Sequence, residues 1–216
     1  MAKAVIFDLD GTLLDTLQDI TDNLNIMLDQ FNYPQVTLKE TRLRVGSGAR
    51  NLVKASLPQG LTESQIDECL AVYNRCYTAS VSPKTKLFDG IDVVLLTLKE
   101  RGYKLAILTN KPQPTTETVY REHLEKFKFD YVFGSQPGFK HKPDPESTKF
   151  VLQKLGVENP NDAYFVGDGE TDVMTSINAN TKGIAVLWGY RDLPDLQKTG
   201  ATEFAQSPLD LLSKII

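Results

Sequence analysis

The pattern of apolar and polar positions divides the chain into two kinds of segment. The first residues, and everything after about residue 87, alternate short apolar runs with amphipathic stretches. The runs predict strands over 4–7, 104–108, 131–133, 163–166, 183–187 and 202–204, and the stretches predict helices over 91–101, 114–125, 145–155, 171–179 and 208–215. Strands that alternate with helices are typical of a parallel sheet covered on both faces. The sequence therefore predicts an α/β fold with a doubly wound parallel sheet.

Residues 16–83 show helical periodicity and no convincing strand. Apolar residues recur every three or four positions in two stretches: Leu17, Ile20, Leu24, Leu28 and Phe31, then Ile66, Cys69, Leu70, Tyr73, Cys76 and Tyr77. The letters TESQ at 62–65 precede the second stretch and are typical of a capping box at a helix start. We expect residues 16–83 to form an α-helical domain inserted into a core of residues 1–15 and 84–216.

The composition argues against a membrane-spanning protein and against a nucleic-acid-binding protein. The chain has 216 residues, is 41% hydrophobic and contains no apolar run long enough to span a membrane. Its start lacks the pattern of a signal peptide, so we expect a cytoplasmic protein with no membrane partner. A net charge of −4 without a basic run argues against nucleic-acid binding. Cys69 and Cys76 have neither metal-pair nor redox-motif spacing and are expected to be buried thiols.

Polar residues follow the predicted strands where each strand ends. Asp8 and Asp10 follow the first strand; Thr109, Asn110 and Lys111 follow the strand at 104–108; Asp168 and, one helical turn later, Asp172 follow the strand at 163–166. Lys142 lies just before a helix expected to begin at Pro145. Ligands of open parallel sheets bind beyond the carboxyl ends of the strands. We expect these residues to meet at one edge of the sheet.

Four converging carboxylates would repel one another strongly. Two unit charges about 4 Å apart repel by roughly 4 kcal/mol at an effective dielectric of about 20. Either some of the acids are protonated through raised pKa values, or a cation lies among them. An all-oxygen set of ligands suits a hard ion, and a few carboxylates completed by water and substrate suit Mg²⁺ better than Ca²⁺. We expect Mg²⁺ at this edge.

A magnesium ion, a lysine and a hydroxyl at the end of a sheet have the properties of a phosphate site. Lys142 can supply a point charge, Thr109 a hydroxyl donor and Asn110 an amide donor. The chain has no P-loop motif for ATP. A carboxylate can instead be the nucleophile, and a second acid two residues along can transfer protons.

The motifs resemble those of haloacid dehalogenase superfamily phosphatases over essentially the whole chain. DLDGT at 8–12, LTN at 108–110, KPDP at 142–145 and GDGETD at 167–172 match the four motifs of that superfamily in order. The resemblance implies that Asp8 is the nucleophile, Asp10 the general acid and base, and Thr109 and Lys142 the phosphoryl-binding pair. It also implies Mg²⁺ held by Asp8, the backbone carbonyl of Asp10 and Asp168, with Asp172 in support. A carboxylate at position 10 disfavours a dehalogenase.

The helical insertion is similar to the α-helical cap of this superfamily, which closes over the site and selects the substrate. Within it, RVGSGARNLV at 44–53 is similar to the specificity loop of phosphoglycolate phosphatases. Gly46 and Gly48 would let the backbone approach a small ligand, and Arg50 would pair with a carboxylate. The alternative is a glycine turn with a solvated arginine.

The resulting expectation is a Mg²⁺-dependent phosphomonoester hydrolase that acts through an aspartyl-phosphate on 2-phosphoglycolate or another small phosphate ester. The alternatives are a phosphomutase of the β-phosphoglucomutase type, a phosphatase for nucleotides, sugar phosphates or pyrophosphate, and a non-catalytic phosphate-binding regulator. The expected partner is a small phosphorylated substrate, and the protein is expected to be a monomer or a homodimer.

Overall fold

The computed structural model describes residues 4–80 and 82–216. Residues 1–3 and 81, which belong to the predicted core and inserted segments, lie outside the described residues. The strands are β1 (Ala4–Phe7), β2 (Leu14–Asp15), β3 (Lys86–Leu87), β4 (Lys104–Pro112), β5 (Tyr131–Ser135), β6 (Ala163–Gly167), β7 (Lys182–Val186) and β8 (Phe204–Ala205). The helices are α1 (Leu17–Gln30), α2 (Leu38–Arg44), α3 (Ala49–Ser56), α4 (Glu63–Ala79), α5 (Ile91–Glu100), α6 (Gln113–His123), α7 (Glu146–Leu155), α8 (Glu170–Ala179), α9 (Leu193–Lys198) and α10 (Asp210–Ile215).

Six strands form one parallel sheet in the order β5-β4-β1-β6-β7-β8. The first strand lies in the middle, with Ala4 aligned with Lys104 of β4 on one side and with Ala163 of β6 on the other. The order of strands reverses at β1, where a doubly wound sheet opens a crevice at its carboxyl edge. The predicted α/β fold is confirmed.

Strand β1 is apolar throughout because both of its faces are covered. Val5 and Phe7 pack on one face, in a cluster to which α5 and α10 contribute. Ala4 and Ile6 face the other side and pack in a cluster with residues of α7. This alternation is the period-two arrangement of side chains along a strand.

Helices α1 to α4 form a separate cap with its own apolar cluster, which includes Ile20, Leu24, Leu52, Val53 and Tyr73. Thr62 and Gln65 form the predicted capping box at the start of α4, and Thr37 and Glu40 form another at α2. Both cysteines are free thiols on α4, and Cys69 is buried whereas Cys76 is half-buried.

The two connections between the core and the cap lie side by side. Strands β2 and β3 pair antiparallel, with Leu14 opposite Leu87 and Asp15 opposite Lys86. The four cap helices lie within the segment 16–83, and the boundaries of the two domains stay a prediction.

Some elements differ from the sequence-based expectation. Helix α8 begins at Glu170 rather than 171, α7 begins after Pro145 rather than at it, and β8 covers Phe204–Ala205 rather than 202–204. Helix α9 was not expected, because six residues are too short to show a helical period. Within the described residues, no helix has both the length and the apolar character that crossing a membrane requires.

Candidate active site

The carboxyl ends of β1, β4 and β6 bring the predicted polar residues to one edge of the sheet. The backbone N–H of Asp8 donates to the Val166 carbonyl of β6 at 2.9 Å, which places Asp8 directly beside the segment that carries Asp168. Asp8, Asp10, Thr109, Asp168 and Asp172 all line one cavity between the sheet and the cap. Distant parts of the sequence therefore converge as parallel strands require.

Three carboxylates form a tight buried cluster at the bottom of this cavity. Asp8, Asp168 and Asp172 each offer one oxygen, and these oxygens lie within 4.8 Å of one another. The Lys142 ammonium donates to Asp172 Oδ1 at 2.6 Å and lies 2.9 Å from Asp8 Oδ1. Lys142 therefore forms buried ion pairs with both carboxylates.

Burial and mutual repulsion disfavour negative charge in this cluster. Burial, with the nearby charge of Asp172, raises the pKa of Asp8 to about 6. Burial, with the charges of Asp172 and Asp8, raises the pKa of Asp168 to about 8. Burial opposes the charge of Lys142, but Asp172 and Asp8 outweigh it and raise the pKa of the ammonium. Three carboxylates facing one ammonium are an environment that a cation would stabilise.

The glycine and the threonine of the DLDGT motif also contact the carboxylate cluster, in addition to its acids. Thr12 donates its hydroxyl to Asp168 Oδ1 at 3.0 Å, and the backbone N–H of Tyr190 donates to Asp168 Oδ2 at 2.8 Å. Gly11 has a φ of +86°, and a Cβ atom there would overlap the Asp168 carboxylate. Only glycine allows this turn and this close approach together.

The Asp10 side chain lies apart from the carboxylate cluster. Both of its oxygens accept from the Lys111 ammonium at 2.8 Å, and Oδ1 also accepts from the Thr16 hydroxyl at 2.7 Å. This carboxylate is therefore occupied by other partners than a metal. The metal-binding role expected for the backbone carbonyl of Asp10 stays a prediction.

Asn110 was expected to donate to substrate, but its amide is occupied by the backbone. Its Nδ2 donates to the Gly46 carbonyl at 3.1 Å and to the Lys142 carbonyl at 3.2 Å, and its Oδ1 accepts from the Lys142 N–H at 2.8 Å. Asn110 thus connects Lys142 to the cap loop. Thr109 is buried and lines the cavity, as expected for a hydroxyl that contacts substrate.

Gly46 and Gly48 lie in the cap loop that lines the cavity. Both have positive φ, and a Cβ atom at Gly48 would lie 2.8 Å from the His141 ring of the core. The loop therefore packs closely against the core, and the approach of its backbone to a small ligand stays a prediction.

Arg50 is not brought to the site. Its guanidinium pairs with Glu63, at 2.6 Å, and with Asp67, both on α4, and the side chain is 39% exposed. The residues that line the cavity do not include it. The contact that the sequence suggested between Arg50 and a substrate carboxylate is absent from this arrangement because two cap carboxylates occupy the guanidinium.

Sequence reasoning gave no role to several residues around the site: Lys111, Thr16, Glu170, Tyr190 and Arg191. Lys111 was expected at the sheet edge, because it directly follows Thr109 and Asn110 at the end of a buried strand, but its contact with Asp10 was not. Tyr190 and Arg191 carried no such signal, because they lie in the loop after β7, where no acid marks the end of the strand.

Comparison with known proteins shows which family the chain belongs to. The profile of the family described as haloacid dehalogenase-like hydrolase matches residues 5–186. This chain belongs to that family. The identification made from the motifs is confirmed, and the chain is an enzyme of the haloacid dehalogenase phosphatase type.

Relatives within this family cover most of the chain. Phosphoglycolate phosphatase 1 of Pseudomonas aeruginosa is 31% identical over 98% of this chain and 79% of its own length. The phosphoglycolate phosphatase of Haemophilus influenzae is 30% identical, with 87% of each chain covered. A crystal structure of a presumed phosphoglycolate phosphatase from Lactobacillus delbrueckii subsp. bulgaricus has a TM-score of 0.91 at 31% identity and covers 100% of this chain and 98% of that one.

Proposed function

We propose that this chain is a Mg²⁺-dependent phosphomonoester hydrolase that forms an aspartyl-phosphate on Asp8, with 2-phosphoglycolate or another small phosphate ester as substrate. The observation that carries the proposal is the position of Asp8. It is buried at the end of β1, it lines the cavity, and its Oδ1 lies 2.9 Å from the Lys142 ammonium. A carboxylate held beside a buried cation in this way is suited to attack phosphorus.

The reaction has two steps, the formation of the aspartyl-phosphate and its hydrolysis. In the first, an Asp8 oxygen bonds to phosphorus while the bond from phosphorus to the ester oxygen breaks, and protonated Asp10 gives its proton to that leaving oxygen. In the second, Asp10 takes a proton from water as the water oxygen bonds to phosphorus and the bond from phosphorus to the Asp8 oxygen breaks. Inorganic phosphate is released, and the Asp8 carboxylate is regenerated. Acid and base thus alternate on one residue.

Lys142 and Thr109 would neutralise the phosphoryl oxygens during both steps. Phosphoryl transfer depends mainly on positioning and on charge stabilisation of these oxygens. Lys142 is buried beside Asp8, so water screens its charge only weakly. Thr109 adds a hydroxyl donor from the end of β4.

The donor set fits Mg²⁺. Hard carboxylate oxygens form the buried cluster of Asp8, Asp168 and Asp172, and one oxygen of each lies within 4.8 Å of the others. We assign the ion to Asp8, Asp168 and the Asp10 carbonyl, with Asp172 in support. When bound, Mg²⁺ would offset the negative charge shared by these carboxylates and the phosphate.

The choice of small esters is supported by the relatives and by the residues with which the cap lines the cavity. The matched proteins of P. aeruginosa and H. influenzae are named phosphoglycolate phosphatases. On the cap side, the cavity is lined by apolar Ile20, Val45 and Leu52 and by the polar Asn74, so a leaving group would meet a largely apolar wall. A cytoplasmic location and a monomeric or homodimeric state stay predictions from the sequence.

The experiment is phosphate release from 2-phosphoglycolate and from p-nitrophenyl phosphate, with Mg²⁺ and with EDTA. We expect Mg²⁺-dependent release by the wild-type protein and none above background by Asp8→Asn. Asp89→Asn, which makes the same change at an exposed residue, is the matched control and should keep wild-type turnover. Turnover by Asp8→Asn at the wild-type rate would remove Asp8 as nucleophile. An isomer formed without phosphate release would indicate a mutase instead.

A further inference from the structure

The Arg191 side chain connects the core to the cap beside the active site. Its Nε donates to Glu170 Oε2 at 2.9 Å, its Nη1 to the Arg42 carbonyl at 2.7 Å and its Nη2 to the Val45 carbonyl at 2.6 Å. Glu170 begins α8 in the core, whereas Arg42 and Val45 lie at the end of cap helix α2. One guanidinium therefore holds parts of both domains with three hydrogen bonds.

The chemistry of these partners makes the contact favourable. The last carbonyls of a helix lack partners within the helix and carry its partial negative charge. A planar guanidinium can satisfy several of them at once, which an ammonium cannot do in the same geometry. The Arg191 side chain is only 15% exposed, so water competes weakly for these bonds.

In a second contact between the two domains, the donor lies in the cap and the acceptor in the core. Arg42 of the cap donates its Nε to the Tyr190 carbonyl at 2.8 Å. The N–H of the same Tyr190 donates to Asp168 in the carboxylate cluster. The Tyr190 ring is buried in the apolar cluster of the cap. The segment Tyr190–Arg191 thus contacts the cap on one side and the proposed metal site on the other.

Val45 leads directly into the loop that lines the cavity with Gly46, Ser47 and Gly48. We propose that Arg191 is a positioning residue that holds this cap loop, Val45–Gly48, closed over the active site. Its effect on hydrolysis rests on the proposed function, because closure matters to a substrate bound between cap and core. Its effect on the loop itself does not depend on that function.

The test is hydrogen–deuterium exchange of peptides covering residues 38–52 in the full chain, compared between the wild-type protein and Arg191→Met. We expect exchange in these peptides to become about tenfold faster or more, which corresponds to the loss of about one hydrogen bond to a charged group. Arg191→Lys should fall between the two. In steady-state kinetics, we expect KM for 2-phosphoglycolate to rise by about tenfold, with a smaller change in kcat.

The matched control is Arg44→Met. Arg44 also lies at the end of α2, but its ion pair is with Glu40 inside the cap. We expect exchange in Arg44→Met to stay within about threefold of wild type. Equal acceleration in both variants, or none in Arg191→Met, would overturn the proposal.

Two further variants keep the test decisive. If Arg191→Met does not fold, Arg191→Lys and Glu170→Gln take its place, and wild-type exchange in both would overturn the proposal. Asp8→Asn should show wild-type exchange, since it leaves the cap contacts intact. Faster exchange in Arg191→Met from a protein that hydrolyses no ester would support the role of Arg191 and remove only the proposed function.

Discussion

Lys111 lies between the Asp10 carboxylate and the ring of Tyr77, and so joins the proposed acid–base residue of the core to the cap. Its ammonium is 2.8 Å from both oxygens of Asp10 and 4.4 Å from the centre of the Tyr77 ring. The side chain is 4% exposed. A buried ion pair of this kind is strongly disturbed when one partner is removed.

We therefore expect Lys111→Met to lower kcat for phosphate ester hydrolysis by about 100-fold, with a smaller change in KM. General acid–base catalysis contributes about 100-fold or more, and Asp10 would keep only the Thr16 hydroxyl to orient it. Steady-state kinetics measure the change. Lys140→Met, at a lysine that is 79% exposed, is the control, and wild-type kcat in Lys111→Met would show that Asp10 needs no such partner.

Asp168→Asn should stabilise the metal-free protein and abolish its response to Mg²⁺. Folding raises the pKa of Asp168 to about 8, so this carboxyl destabilises the folded state increasingly as the pH rises above its ordinary pKa. An amide removes that penalty, and it can accept from Tyr190 and donate to the Thr12 hydroxyl. We expect a gain of about 1 kcal/mol or more in EDTA at neutral pH.

Thermal unfolding with and without Mg²⁺ measures both effects. For the wild-type protein, Mg²⁺ at about 100 times its Kd should add about 2.7 kcal/mol to the free energy of unfolding. The variant should show no such addition. A Mg²⁺ response of wild-type size in Asp168→Asn would contradict the metal assignment.

Arg50→Ala should have little effect on catalysis, because Glu63 and Asp67 hold the guanidinium outside the cavity. We expect kcat/KM for 2-phosphoglycolate to stay within about threefold of wild type, as is usual for a surface ion pair. Ethyl phosphate, which lacks the carboxylate, is the matched substrate. A loss confined to 2-phosphoglycolate would restore the carboxylate contact suggested by the sequence.

Gly48→Ala should impair hydrolysis more than Gly60→Ala does. Both glycines belong to the cap and have φ near +90°, so alanine is strained at either position. Only at Gly48 would the new Cβ meet the core, 2.8 Å from His141, whereas nothing lies within 4 Å of it at Gly60. We expect kcat/KM to fall about tenfold in Gly48→Ala alone. Equal losses would show that backbone strain, not loop approach, is responsible.

The sheet and its reactive edge were predictable from sequence for a simple physical reason. Strands such as β1 and β6 are buried on both faces, so they appear as continuous apolar runs. Parallel strands place their carboxyl ends together, so the acids that follow them, Asp8 and Asp168, had to converge. The cluster of Asp8, Asp168 and Asp172 follows from that rule.

The partners of individual charged side chains were not predictable in the same way. Periodicity places Arg50 on a helix but does not say that α4 will bring Glu63 and Asp67 against it. Arg191 is likewise found beside α2 only once the cap has packed against the core. Such pairings depend on how two domains meet, and a local pattern carries no information about that.

The short strands β2 and β3 hold the two ends of the inserted segment together, and this makes the cap replaceable. An inserted segment whose two ends already touch can be lengthened, shortened or replaced with little change in chain entropy. The six-stranded sheet would keep its shape through such an exchange. The core, which holds the proposed reactive residues, and the cap, which covers the cavity, can thus change independently during evolution.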